Sequence, residues 1–269
     1  TVSALVAGGL TVTAVFVHGV PETPAIWDGL LAALDRPDTV ALSLPGFDSA
    51  RPDGFGATMD EYAAWLVAQL ERLDAPVDLV GHDWGGNQAW GAAGWHPDRV
   101  ASLTVLSTPH PAAFRKSLLT SRQGLVSWYM ALFQLPALPE RLAQRTLAKS
   151  LRDNGLPDDF ADRYAAAMAE PGALTGALNW YRGIPFSTQP PLGRITVATT
   201  YVWGRQDFAL ARAAAELTAD YVVGPYEAVE LFREMARELE QKNQDPETLA
   251  AARRFNQLIE DIAQRRLDR

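Results

Sequence analysis

The stretch Val77-Asp78-Leu79-Val80-Gly81-His82-Asp83-Trp84-Gly85-Gly86 constrains the fold more than any other part of the chain. Its apolar run of Val77, Leu79 and Val80 has the short character of a strand buried under helices. Gly81 and Gly85 flank Asp83 at minus and plus two. This is the small-x-nucleophile-x-small pattern of a sharp strand-to-helix turn, with aspartate at the position better known for serine. The spacing has a steric reason. A side chain at the tip of a strained turn is exposed only if the residues packed beneath it have almost no side chain. A helix starting just after Asp83 also aims free backbone N–H groups at the site, which suits a carboxylate and an oxyanion. The competing reading makes Gly81-His82-Asp83 a loop and Asp83 an ordinary N-cap.

The elements on either side alternate. Ser3 to Val6 and Thr11 to Val17 read as strands, the second closed by His18-Gly19-Val20-Pro21. Glu22 to Leu34 reads as a loop and an amphipathic helix, and Thr39 to Leu44 as a short strand closed by Pro45-Gly46. Tyr62, Leu66, Leu70 and Leu73 give Met59 to Leu73 helical periodicity. A helix over Asn87 to Trp95 and a strand over Val100 to Leu106 follow. Such alternation predicts a mostly parallel sheet with helices on both faces. Residues 111–191 are mainly helical and rich in aromatics: Trp128, Tyr129, Phe133, Trp180 and Tyr181. Ile195 to Trp203 returns to a strand pattern that runs into Gly204-Arg205-Gln206-Asp207.

Composition narrows the functional classes. A chain of 269 residues with 48% apolar content affords one large core, with room for an insertion. A net charge of −8 argues against a broad nucleic-acid surface. With no cysteine there is no disulfide, thiol catalysis or thiolate-held metal. No apolar run approaches the ~18 residues of a membrane span, and the N-terminus lacks the basic start of a secretory signal. The expectation is a soluble cytoplasmic protein without cofactor or metal. Histidine occurs only at positions 18, 82, 96 and 110.

Taken together, His18-Gly19-Val20-Pro21, Pro45-Gly46-Phe47, Gly81-His82-Asp83-Trp84-Gly85-Gly86 and Thr108-Pro109-His110-Pro111 resemble the α/β-hydrolases. The resemblance is to the branch with an aspartate nucleophile, the epoxide hydrolases and haloalkane dehalogenases, and it covers roughly residues 8 to 224. It implies an α/β fold, a doubly wound and mostly parallel sheet, with a core over 1–110 and 192–224 and a helical cap over 111–191. Phe133-Gln134-Leu135-Pro136 and Asn179-Trp180-Tyr181-Arg182 are similar to epoxide-hydrolase cap signatures. By motif position, Asp83 would be the nucleophile, Asp207 the catalytic acid and Tyr181 a general acid. Val20 and Trp84 would donate the oxyanion-hole N–H groups. His18, Pro21, His82, Tyr129, Phe133 and Trp180 would complete the motifs and pocket. For Asp207 the residues leave a second reading, a cap on a helix beginning near Ala209. For the aromatics the second reading is ordinary core.

Two departures stand out. The first cap tyrosine of the family would sit where this chain has Leu132, with Tyr129 one helical turn earlier. The second is larger: the family's general base is a histidine on a loop after the last strand, and residues 111–269 contain none. The composition also changes at Gly224-Pro225. Residues 225–269 carry 18 charged side chains in 45, without glycine. Pro225 suits the first turn of a helix. Val229, Phe232, Met235 and Leu239, then Phe255, Leu258, Ile259 and Ile262, predict an atypical C-terminal helical hairpin over 225–269. The resemblance thus implies a hydrolase most like an epoxide hydrolase, acting through an alkyl ester on Asp83 with its second half-reaction impaired. The alternatives are a haloalkane-dehalogenase-type hydrolase, or a non-turnover scaffold used for binding. The partner implied is a small apolar epoxide or halogenated substrate, with no nucleic acid and no membrane, and a homodimer through cap or C-terminal helices is the macromolecular option.

Overall fold

The computed structural model describes residues 12–34, 36–47, 51–73, 75–205, 207 and 209–231. Within them, one sheet of six strands runs in the order β2-β1-β3-β4-β5-β6, and every pairing is parallel. The strands are β1 (Ala14–Val17), β2 (Thr39–Leu42), β3 (Val77–His82), β4 (Val100–Leu106), β5 (Ala198–Gly204) and β6 (Tyr226–Leu231). A parallel sheet needs helical crossovers on its faces, and its strands are correspondingly apolar. All four β1 residues are buried. Before β3 lie α1 (Asp28–Leu34) and α2 (Met59–Leu70), the latter opened by a reciprocal Thr58–Glu61 capping box. Behind β3 comes α3 (Asp83–Trp95). The chain leaves β1 toward β2 on one side and returns to β3 on the other. The carboxyl ends of β1 and β3 therefore flank a topological switch point, the place where open α/β sheets form their crevice.

Between β4 and β5 the chain forms a helical insertion. It comprises α4 (Pro111–Thr120), α5 (Gln123–Val126), α6 (Trp128–Phe133), α7 (Leu138–Asp153), α8 (Asp158–Ala169) and α9 (Ala173–Gly183), and α10 (Arg212–Thr218) follows β5. Trp180 anchors the insertion to the core. It is fully buried and stacks on Tyr62 of α2, with ring centroids 3.7 Å apart, while the Tyr62 hydroxyl donates to the Pro45 carbonyl at 2.8 Å. Trp128 points the other way and is 65% exposed, so it belongs neither to a core nor to a pocket. No helix among the described residues is long and apolar enough to cross a membrane.

One expectation is corrected. Residues 226–231 do not begin a helix at Pro225; they form β6, in register with Thr199 to Gly204 of β5. Local i, i+3 and i, i+4 spacing loses here to the unpaired edge of β5, whose backbone groups need partners. Pro225 sits just ahead of the strand, where its missing N–H costs nothing, and its carbonyl accepts from Thr199 N at 2.8 Å. The core therefore continues at least to residue 231. The expected strand over Ser3 to Val6 and the remainder of the helical hairpin lie outside the described residues.

Candidate active site

The carboxyl ends of β1 and β3 meet at Asp83, the first residue of α3, which adopts φ +49. A non-glycine residue in this left-handed region is strained and persists only when its surroundings over-determine it. Here they do. A Cβ on Gly81 would lie 2.6 Å from the Gly85 carbonyl oxygen, and one on Gly85 would collide with the Val17 and His18 carbonyl oxygens. The elbow thus packs directly on the end of β1. Behind it, the Thr108 hydroxyl donates to the Asp83 carbonyl at 2.6 Å, and Trp90 Nε1 of α3 donates to the Thr108 carbonyl at 2.9 Å. Asp83 is no N-cap in the usual sense: the cap position of α3 is His82, which makes no side-chain cap bond.

The Asp83 carboxylate faces the turn after β1. Val20 N donates to its Oδ2 at 2.9 Å, and Trp84 N also hydrogen-bonds to it. The approach requires glycine at position 19, where a Cβ would come within 2.6 Å of Oδ2. The Val20–Pro21 bond is cis. Burial nevertheless pushes the Asp83 carboxyl up from 3.8 to about 6; His82 and the two N–H groups pull down, and Glu22 pushes up.

Beneath the carboxylate is a pair that motif spacing alone did not reveal. Glu22 is buried, and its Oε2 accepts from His82 Nδ1 at 2.8 Å and from Gly19 N at 3.0 Å. Burial disfavours the Glu22 charge, but His82 and the Gly19 N–H outweigh it and hold the carboxyl below its ordinary value. For His82, burial works against the imidazolium, yet Glu22 dominates, with Asp83 and Asp207 adding, and the group is raised to about 9. In the sequence Glu22 reads only as the start of the loop after Pro21.

The other histidines are committed elsewhere. His18 is buried, and its Nε2 accepts from Leu44 N at 3.2 Å while Nδ1 donates to the Gly19 carbonyl at 2.9 Å. Those roles fix a neutral tautomer. His110 is likewise buried and bonded at both ring nitrogens, to Ala112 N and the Gly193 carbonyl; burial lowers it to about 4. His96 closes the C-terminus of α3.

Asp207 follows β5, and its Oδ1 accepts from Ala209 N and Leu210 N at 2.8 and 2.9 Å. It shapes this loop rather than capping α10, which starts at Arg212. Burial raises its carboxyl, and the charge of His82 lowers it.

Above Asp83 the insertion contributes an aromatic wall. The Tyr181 ring meets that of Trp84 edge-on at 5.0 Å, Phe133 at 4.9 Å and Tyr129 at 6.0 Å. Trp84 also approaches Trp180 at 5.2 Å. Burial raises both phenols, and the Asp83 charge adds to each. Tyr129 therefore neighbours Tyr181 and lies within electrostatic reach of Asp83, although it stands a helical turn before the position that the signature indicates. Chemically, the arrangement offers a desolvated carboxylate, two N–H donors beside it and two protonated phenols opposite.

A family model described as the alpha/beta hydrolase fold matches residues 14–222. The chain is 32% identical over 227 residues to the AB hydrolase superfamily protein YfhM of Bacillus subtilis, covering 76% of this chain and 77% of that protein. It is 32% identical over 233 residues to epoxide hydrolase 3 of Xenopus tropicalis, covering 79% of this chain but 63% of that one, just under two thirds of its length. Among solved structures, Bacillus megaterium epoxide hydrolase in complex with an inhibitor superposes with a TM-score of 0.71 at 23% identity, over 83% of this chain and 86% of that one.

Proposed function

Because this chain belongs to the α/β-hydrolase fold family, we propose that it opens small epoxides by attack of Asp83 and retains the product as an ester on that residue. The observation that carries the reading is the pairing of a strained, desolvated Asp83 carboxylate with two half-buried phenols, Tyr129 and Tyr181, close enough for its charge to act on both. A carboxylate oxygen of Asp83 attacks one epoxide carbon, the ring C–O bond breaks, and the departing oxygen takes a proton from a phenol. Two phenols favour an epoxide over a haloalkane, whose leaving halide needs no proton. The aromatic wall of Trp84, Phe133 and Tyr181 suits an apolar substrate, whose binding there would displace water from Asp83. Residues 111–191 are on this reading the cap that closes the site.

The second half-reaction is water attack at the ester carbonyl. Its oxyanion would find the Val20 and Trp84 N–H groups in place. Among the described residues, His18, His82 and His110 offer it no free imidazole. His18 and His110 are neutral and bonded at both nitrogens, and His82 is held as an imidazolium by Glu22. Loss of a general base typically costs ~10²–10⁴ in rate, enough to make the ester the species that accumulates.

Intact-protein mass after incubation with a small reactive epoxide tests this directly. The expected result is one adduct of the epoxide's full mass, mapped to Asp83 and absent in Asp83→Ala. An adduct that persists in Asp83→Ala removes Asp83 from the mechanism. Steady diol release without an adduct makes the chain a complete hydrolase and directs attention to His82 with Glu22 as the base.

A further inference from the structure

The two phenols over Asp83 come from helices far apart in sequence, and α6, which carries Tyr129, has only six residues. A helix that short does not hold its own place. Its fixed point is Arg182, the residue after Tyr181. Arg182 Nε donates to the Phe133 carbonyl at 3.0 Å and Nη2 to the Leu135 carbonyl at 2.7 Å. These belong to the C-terminal end of α6 and the turn beyond it, where carbonyls have no partner within the helix. The guanidinium also meets the Glu140 carboxylate through Nη1 at 2.7 Å and Nη2 at 3.1 Å. Glu140 lies in the first turn of α7 and also hydrogen-bonds with Thr175 of α9. Gln134 Nε2 closes the junction by donating to the Tyr181 carbonyl at 2.8 Å.

We propose that Arg182, oriented by Glu140, is a positioning residue that sets the spacing of Tyr129 and Tyr181 across the Asp83 carboxylate. The inference rests on the epoxide-opening reading of Asp83. The pair is sheltered, with side-chain exposures of 21% and 14%, so it is more than a solvated surface bridge. Its planar fork reaches two carbonyls and one carboxylate at once, a geometry the lysine ammonium cannot reproduce. Phe133 transmits the constraint. Arg182 grips its carbonyl while its ring touches both Tyr129, at 5.4 Å, and Tyr181, at 4.9 Å.

The test combines Arg182→Lys and Glu140→Gln with Tyr129→Phe, singly and together, in the full chain, reading the rate of ester formation against epoxide concentration. A misplacement of about 1 Å costs on the order of 100-fold. Arg182→Lys is therefore expected to lower the maximal rate ~10–100-fold while half-saturation stays within ~3-fold. Adding Tyr129→Phe should then cost far less than it does in the wild type. Fully additive losses, or an unchanged rate in a folded variant, overturn the proposal. Glu140→Gln preserves the shape of the pair and decides the matter if Arg182→Lys does not fold. A second readout needs no substrate: titration of tyrosine absorbance near 295 nm. Extra tyrosines that ionise below pH 11 in Arg182→Lys support loosened phenols, and an unchanged titration overturns the proposal. Absence of any ester in the wild type defeats the functional reading alone, and the absorbance titration still decides the positioning claim.

Discussion

At the scale of single residues, Asp83 carries an electrostatic cost of burial. Its folded carboxyl titrates near 6 against 3.8 ordinarily. The folded state thus holds a proton that the unfolded chain has already released, and stability falls as pH rises from about 4 to about 6. Above that window the whole penalty stands, with a ceiling of ~3 kcal/mol for a shift of this size. Asp83→Asn keeps the shape and removes the charge. It is expected to raise the unfolding free energy by ~1–2 kcal/mol at pH 7.5 and to leave it unchanged at pH 3.5, where both side chains are neutral. Denaturant melts at the two pH values check this, and an equal gain at both would trace to packing instead. Legibility at this scale was uneven for a physical reason. Gly81 and Gly85 announced the elbow because steric exclusion at a turn is local in sequence. Glu22 gave little warning, since a lone carboxylate in a turn looks solvated until the fold brings His82 within 2.8 Å of it.

At the scale of elements, the elbow is a close fit of strand on helix, and it predicts opposite outcomes for two glycines. Gly85 has no room for a methyl group, because the Val17 and His18 carbonyl oxygens occupy that space. Gly85→Ala is expected to lose at least ~3 kcal/mol or to fail to fold, as backbone clashes in a core do. Gly29 lies in α1 with nothing within 4 Å of an added Cβ. Gly29→Ala should therefore stabilise by ~0.5–1 kcal/mol through helix propensity and a less mobile unfolded chain. Thermal melts of the two variants settle both signs. The periodicity of α2 and the apolar runs of β1, β3 and β4 were readable because each element carries its own burial pattern. β6 was not, because Val229 fits a helical spacing and the β5 edge that recruits it is a tertiary fact. Arg182 shows the same limit. Its signature was visible, but Glu140 lies 42 positions away, and only the fold of the insertion joins them.

At the scale of the whole molecule, the sheet places Asp83 and the N–H pair at its switch point, and the insertion brings the phenols. On the proposed reading these parts complete the ring-opening step. Ester hydrolysis asks for one more, a neutral imidazole aimed at the carbonyl; His18, His82 and His110 are bonded elsewhere, and His96 closes the opposite end of α3 from Asp83. The deficit is a missing group rather than a misshapen site, so a small diffusible base should make it good. Free imidazole is expected to accelerate loss of the Asp83 ester, with a rate that follows the neutral fraction of imidazole and so rises with pH through about 7. Release should yield diol and regenerate the carboxylate, so that the same molecule accepts a second epoxide. Time-resolved intact mass with and without imidazole is the measurement. An ester lifetime indifferent to imidazole would mean that access of water, controlled by the aromatic wall over Asp83, limits the second step. Phe133→Ala, which opens that wall, would then shorten the lifetime where imidazole does not.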